Sequence, residues 1–123
     1  MIGYTSLGTN DLNRSASFYD QIFESLGGKR TYSFEDFIVW GKDHTQPMFS
    51  VHKPYDGKYA TVGNGVMIAL VCSSKKQVDD TYNLALKLGA LDEGGPGERM
   101  DSFYAAYFRD LDGNKLNVHY FGN

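Results

Sequence analysis

An internal duplication limits the folds open to this chain more than any other feature. A shift of 63 residues lays Tyr4 on Met67, Asp11 on Ser74 and Tyr19 on Tyr82, and a shift of 67 lays Ser50-Val51-His52 on Asn117-Val118-His119. The small difference between the two shifts is a difference in loop length. A half of about 60 residues has only a marginal core by itself, so the halves are expected to pack together as one domain. Module one covers about residues 1–62 and module two about 63–123.

Each half reads as strand, helix, then about three strands. Ile2 to Thr9 is rich in β-branched and aromatic residues and stops at Asn10-Asp11, the pattern of a strand followed by a helix cap. Leu12, Ala16, Tyr19, Phe23 and Leu26 then recur at helical spacing, and Gly27-Gly28 supplies a left-handed ending. Arg30 to Phe34, Phe37 to Trp40 and Met48 to His52 follow as short strands, and Tyr55 to Asn64 reads as a surface connection. In the second half Gly65 to Cys72 is nearly all apolar, which predicts a strand covered on both faces. Ser74 and Gln77 have capping-box spacing; Val78, Tyr82, Ala85 and Leu88 form a second helical stripe closed by Gly89. Glu93 to Gly97 reads as a loop, Phe103 to Arg109 as a strand, Asp110 to Gly113 as a turn and Leu116 to Tyr120 as the last strand.

The fold class is therefore α+β. Two βαβββ modules are expected to form an eight-stranded curved sheet, a half-barrel, with one helix behind each half and the other faces curled around a shared cleft. Nine Tyr, eight Phe and one Trp are enough rings to fill a core and line part of a cavity. The formal charge of −3 gives no nucleic-acid footprint and no basic membrane surface. Cys72 is alone, so an intrachain disulfide and a multi-thiolate zinc site are excluded. No apolar run approaches the roughly 18 residues needed to span a bilayer, and no signal-peptide pattern opens the chain, which makes the cytoplasm the expected compartment.

The strand-helix opening from Ile2 through Gly8 to Ser17-Phe18-Tyr19-Asp20 resembles the vicinal oxygen chelate superfamily, the group of glyoxalases, bleomycin-resistance proteins and extradiol dioxygenases. The resemblance continues through Gly63-Asn64-Gly65-Val66, Pro96-Gly97-Glu98-Arg99 and Phe103 to Tyr107, and ends at Arg109-Asp110-Leu111-Asp112-Gly113-Asn114, with Leu111 in place of the family's usual Pro. It is nearest to the short bacterial glyoxalase-like proteins. It implies a divalent metal inside the cleft, held by His or Gln and Glu from one half and His and Glu from the other. The positions here that match those ligands are Tyr4, Ser50, Met67 and Asn117. Met67 offers a soft thioether suited to copper(I), Tyr4 a phenol protonated at neutral pH, and Ser50 and Asn117 weak neutral oxygens. With no anionic donor left, the family's metal is expected to be absent, and no cofactor is expected in its place.

His52 and His119 stand two residues beyond Ser50 and Asn117, on the same strand faces. One reading makes them a displaced metal site or a general base with its partner; the other makes each a polar residue near a strand end. Tyr104 and Phe108 are taken as cleft residues, against core or rim packing as the alternative. Arg99 would hold a substrate carboxylate through its fork, or else pair with Glu98 or Asp101 at the surface. The leading functional expectation is a metal-free protein that binds a small organic molecule in an aromatic-lined cleft, as a homodimer. One alternative is a lyase or isomerase of the lactoylglutathione lyase type that uses His and Tyr for acid–base work. The other is an interaction domain without a small ligand.

Overall fold

The computed structural model describes all residues, 1–123, and divides into two compact units, Met1–Gly63 and Asn64–Asn123. Both are βαβββ modules. The first runs β1 (Tyr4–Gly8), α1 (Leu12–Ser25), β2 (Lys29–Ser33), β3 (Phe37–Gly41) and β4 (Met48–His52). The second runs β5 (Ile68–Val71), α2 (Lys75–Lys87), β6 (Leu91–Met100), β7 (Phe103–Arg109) and β8 (Lys115–Phe121). Each module has its own four-stranded sheet, ordered β1-β4-β3-β2 and β5-β8-β7-β6. In both, the first strand lies parallel to the last and the remaining pairs are antiparallel.

Both helices start and stop by the same local chemistry. The Asp11 carboxylate accepts from the Arg14 backbone N–H at 3.0 Å, and Ser74 Oγ accepts from Gln77 N–H at 3.0 Å. Gln77 Oε1 reaches back to the Ser73 N–H at 2.7 Å, so the box closes one residue before the cap. At the far ends Gly27 (φ 83°) and Gly89 (φ 106°) take the left-handed conformation. The N–H of Gly28 then bonds Phe23 O, and that of Ala90 bonds Ala85 O, closing a Schellman motif on each helix.

Strand alternation puts one face of each sheet against its helix. In module one that face carries Leu7, Ile38, Trp40, Phe49 and Val51, all buried, against Tyr19, Ile22 and Phe23 of α1. Tyr19, Phe23, Trp40 and Phe49 form one ring cluster with centroid separations from 4.8 to 6.3 Å. The Trp40 indole N–H donates to Asp20 Oδ1 at 2.9 Å, and the Arg30 guanidinium grips both oxygens of the same carboxylate at 2.7 and 2.8 Å. The Arg30 bonds chiefly hold the Asp20 carboxyl below the usual carboxylate range. In module two the helix face carries Ala106, Phe108, Leu116 and Val118, all fully buried, with Val78, Tyr82 and Ala85 of α2 also buried. Cys72 is buried, and loss of solvent pushes its thiol up to about 11, so it is an inert packing residue.

Two expectations from the sequence need correction. Glu93 to Gly97 is not a loop but the middle of β6, a ten-residue strand whose register against β7 slips three times, between Asp92 and Gly94, Gly94 and Gly97, and Glu98 and Met100. The bulges absorb the glycines, and Pro96, which has no N–H to give, sits inside one of them on an edge strand. Gly65 to Cys72 is not a strand covered on both faces. Only Ile68–Val71 is strand, it lies at the sheet edge, and Val71 is 72% exposed. A continuous apolar run has no alternation, so it cannot say which face is left open.

Candidate functional site

The helix-free face of each sheet holds most of the residues singled out above. In module one, β1 and β4 pair in the register Tyr4 with Met48, Ser6 with Ser50 and Gly8 with His52. These residues point away from α1, because Phe49 and Val51 between them pack toward it. Tyr4 is 63% exposed, whereas Ser50 is wholly buried and donates its hydroxyl to Thr5 O at 2.8 Å. His52 Nδ1 lies 2.7 Å from Ser6 Oγ, one residue further along the same face.

In module two, β5 and β8 set Ala69 beside Asn117 and Val71 beside His119. Asn117 is buried, and its Oδ1 accepts from His119 Nδ1–H at 3.0 Å. That bond fixes the tautomer and leaves Nε2 as the free nitrogen of the neutral ring. The His119 ring stacks on Phe103 at 5.3 Å and meets Phe121 edge-on at 6.3 Å. Met67 stands one residue before β5 and is partly exposed. Arg99 lies over the Tyr107 ring at 5.4 Å, with its guanidinium donating to Gly95 O; it is not paired with Glu98, which bridges to Lys75 at 2.8 Å.

Tyr104 and Phe108 are on the other side. The Tyr104 hydroxyl donates to Asp79 of α2 at 2.7 Å, and Phe108 is fully buried on the same strand face. Both were expected to line the cleft, and both belong to the helix-side packing instead. The side-chain period of two on β7 makes Phe103, Ala105 and Tyr107 the helix-free set. Phe103, Tyr107 and Phe121 are therefore the rings that give this face its aromatic character. Their signal was in the sequence as the alternate set on β7; what it lacked was the parity, which Asp79 supplies.

The four positions that match the family's metal ligands do not suit a divalent ion. Ser50 turns its hydroxyl hydrogen to a main-chain carbonyl and Asn117 accepts from His119, so each side chain is oriented by a bond within its own module, and both oxygens are neutral, weak donors. The other two groups are a phenol and a thioether, and none of the four is anionic. Within neither module do three His, Cys, Asp or Glu side chains gather closely enough to hold a metal.

Burial also pushes the His119 imidazole below its ordinary value. The folded state then resists a proton that the unfolded chain accepts near pH 6.5, so stability is full above about pH 6.5 and declines as pH falls toward the folded pKa. Urea titrations between about pH 7.5 and pH 5 should show this slope in the native protein and a shallower one in His119→Gln. Equal slopes in the two proteins would refute it.

The family model of the Glyoxalase/Bleomycin resistance protein/Dioxygenase superfamily matches residues 1–118. A glyoxalase/bleomycin resistance protein from Albidiferax ferrireducens T118 is 31% identical over 97% of each chain, with a TM-score of 0.89. A glyoxalase/bleomycin resistance protein/dioxygenase family enzyme from Burkholderia phytofirmans PsJN shares the fold at 18% identity, over 97% of each chain, with a TM-score of 0.77. Lactoylglutathione lyase from Agrobacterium tumefaciens shares it at 19% identity, over 97% of this chain and 92% of that one, with a TM-score of 0.70. No curated protein matches the sequence. No helix is long and apolar enough to cross a membrane.

Proposed function

Because the chain belongs to the Glyoxalase/Bleomycin resistance protein/Dioxygenase superfamily, we propose that it keeps the family's small-molecule role without the family's metal, and binds an organic ligand on the helix-free sheet surface. The observation that carries this reading is the state of Ser50 and Asn117. At positions where the family holds ions, both side chains are neutral and buried, and each is oriented by a hydrogen bond within its own module rather than replaced by an anionic ligand. Each helix-free face also leaves apolar or aromatic side chains open: Tyr4 in module one, and Met67 and Phe121 in module two. Exposed rings such as Tyr4 and Phe121 reward a planar or hydrophobic ligand more than a hydrated ion. We place the protein in the cytoplasm and expect a homodimer, since exposed apolar side chains on sheet surfaces favour a covering partner.

The test has two arms. Elemental analysis of dialysed protein is expected to find no stoichiometric transition metal; one firmly held equivalent of zinc, nickel or manganese would defeat the metal-free reading. A thermal-shift screen of aromatic metabolites is expected to give ligands whose stabilisation is lost in Tyr4→Ala or in Phe121→Ala. Ligands indifferent to both changes would place binding elsewhere.

The second reading is a lyase or isomerase. It is favoured by the Ser6–His52 and Asn117–His119 pairs, each of which fixes an imidazole on a helix-free face. A histidine oriented in this way can serve as a general base without a Lewis acid. Turnover of the methylglyoxal–glutathione hemithioacetal that survives chelator and disappears in His119→Gln or His52→Gln would establish it.

A further inference from the structure

A separate cavity lies within module one, at the end where the parallel strands β1 and β4 finish and α1 begins. It has a volume of about 510 Å³, is open to solvent, and is lined by Thr9, Asn10, Lys53, Pro54, Gly57, Lys58 and Tyr59. That volume suits a metabolite-sized ligand. None of these residues is on the helix-free surface discussed above, and the segment from Tyr55 to Asn64 reads from sequence only as a connection.

The walls are held from both ends. The Asn10 side chain clamps Ala60 with two hydrogen bonds, accepting from its N–H at 2.7 Å and donating to its carbonyl at 3.2 Å. At the other end Lys53 N–H donates to Asp36 O at 2.9 Å, and the turn between is closed by Gly57 N–H on Pro54 O at 3.0 Å. Thr9 is buried beneath, with its N–H donating to His52 O at 3.0 Å as an extension of the β1–β4 ladder. The loop is thus shaped before anything binds, which removes much of the ordering cost of binding.

Its chemistry is cationic and aromatic. The Arg30–Asp20, Lys75–Glu98, Lys76–Asp80 and Arg109–Glu93 ion pairs engage neither Lys53 nor Lys58. Nor does either of the nearby carboxylates Asp56 and Asp11 pair with them: Asp56 accepts from Lys58 N–H at 3.0 Å, and Asp11 accepts from Arg14 N–H at 3.0 Å. Tyr59 is 86% exposed and lines the cavity together with Lys53 and Lys58. We propose that this cavity is a second binding site, for a small aromatic anion whose carboxylate or phosphate is held by Lys53 and Lys58 and whose ring lies on Tyr59.

Titration calorimetry of the full chain tests this with para-nitrobenzoate and para-nitrophenyl phosphate, and with para-nitrobenzyl alcohol as the uncharged control. One or both anions are expected to bind at a single saturable site, and the alcohol is not. Comparing the two anions tells which headgroup the lysines prefer. Affinity is expected to fall by about tenfold when Lys53→Ala and Lys58→Ala are combined, and by a smaller factor in Tyr59→Ala. All three side chains are exposed, so the variants should fold, as circular dichroism can verify. Failure of both anions to saturate, or affinity unchanged in the double lysine variant, would overturn the proposal. Binding that disappears in Tyr4→Ala or Phe121→Ala but not in the lysine variant would also overturn it, while leaving the sheet-surface reading intact.

Discussion

Trp40→Ala is expected to destabilise the protein by about 3–5 kcal/mol, lowering the melting temperature by roughly 10–20 °C. Trp40 is the only tryptophan and is fully buried, in ring contact with Tyr19, Phe23 and Phe49. Its removal opens a void in the layer between α1 and its sheet, where rigid rings on three sides cannot close in. It also strips Asp20 of a donor. Trp40→Phe separates the two effects. It keeps most of the apolar volume while losing the indole N–H and part of one ring, so about 1–2 kcal/mol is expected. Since each change removes the native fluorophore, denaturation is best followed by far-ultraviolet circular dichroism. A loss below about 1 kcal/mol in the alanine variant would mean that the ring layer is not a packed core.

Asp110→Ala is expected to cost about 2–4 kcal/mol. Asp110 is buried in the turn between β7 and β8, where its Oδ1 accepts from the N–H groups of Asp112 and Asn114, both at 2.9 Å, and its Oδ2 accepts from Asn114 Nδ2 at 3.0 Å. Alanine removes the acceptor that all three of these bonds share. Asp110→Asn retains an acceptor for the two main-chain groups and should recover most of the loss. The turn also sets the register that places Asn117 opposite Tyr107 and His119 opposite Ala105. The alanine variant should therefore lose any ligand bound on that face along with its stability. Wild-type stability in Asp110→Ala would contradict the role given to the turn.

The helices were legible because their signals are local. Asp11 and Ser74 carry cap chemistry, Gly27 and Gly89 carry the left-handed ending, and the apolar stripes between them have the helical period. The duplication was legible because both modules need the same sequence of elements to bury one sheet face. The middle of β6 was not, because Gly and Pro signal a loop unless a neighbouring strand accommodates them in bulges, and the neighbour is remote in sequence. Nor was the facing of Tyr104 and Phe108. β7 carries rings on both sides, and which side meets the helix is decided by a long-range bond to Asp79. The cavity at Lys53 and Lys58 was hidden for a similar reason: its walls depend on Asn10 reaching a residue 50 positions away.

β6 is the longest strand and runs along an outer margin, with Leu91 and Met100 uncovered at its two ends. A strand of that length with regular spacing would be a template on which a stranger's backbone could align and fibrils could grow. The three slips in spacing and the missing donor at Pro96 deny an incoming chain any continuous ladder. Deleting the irregular glycine-proline stretch to straighten the strand should make the protein more regular and less soluble.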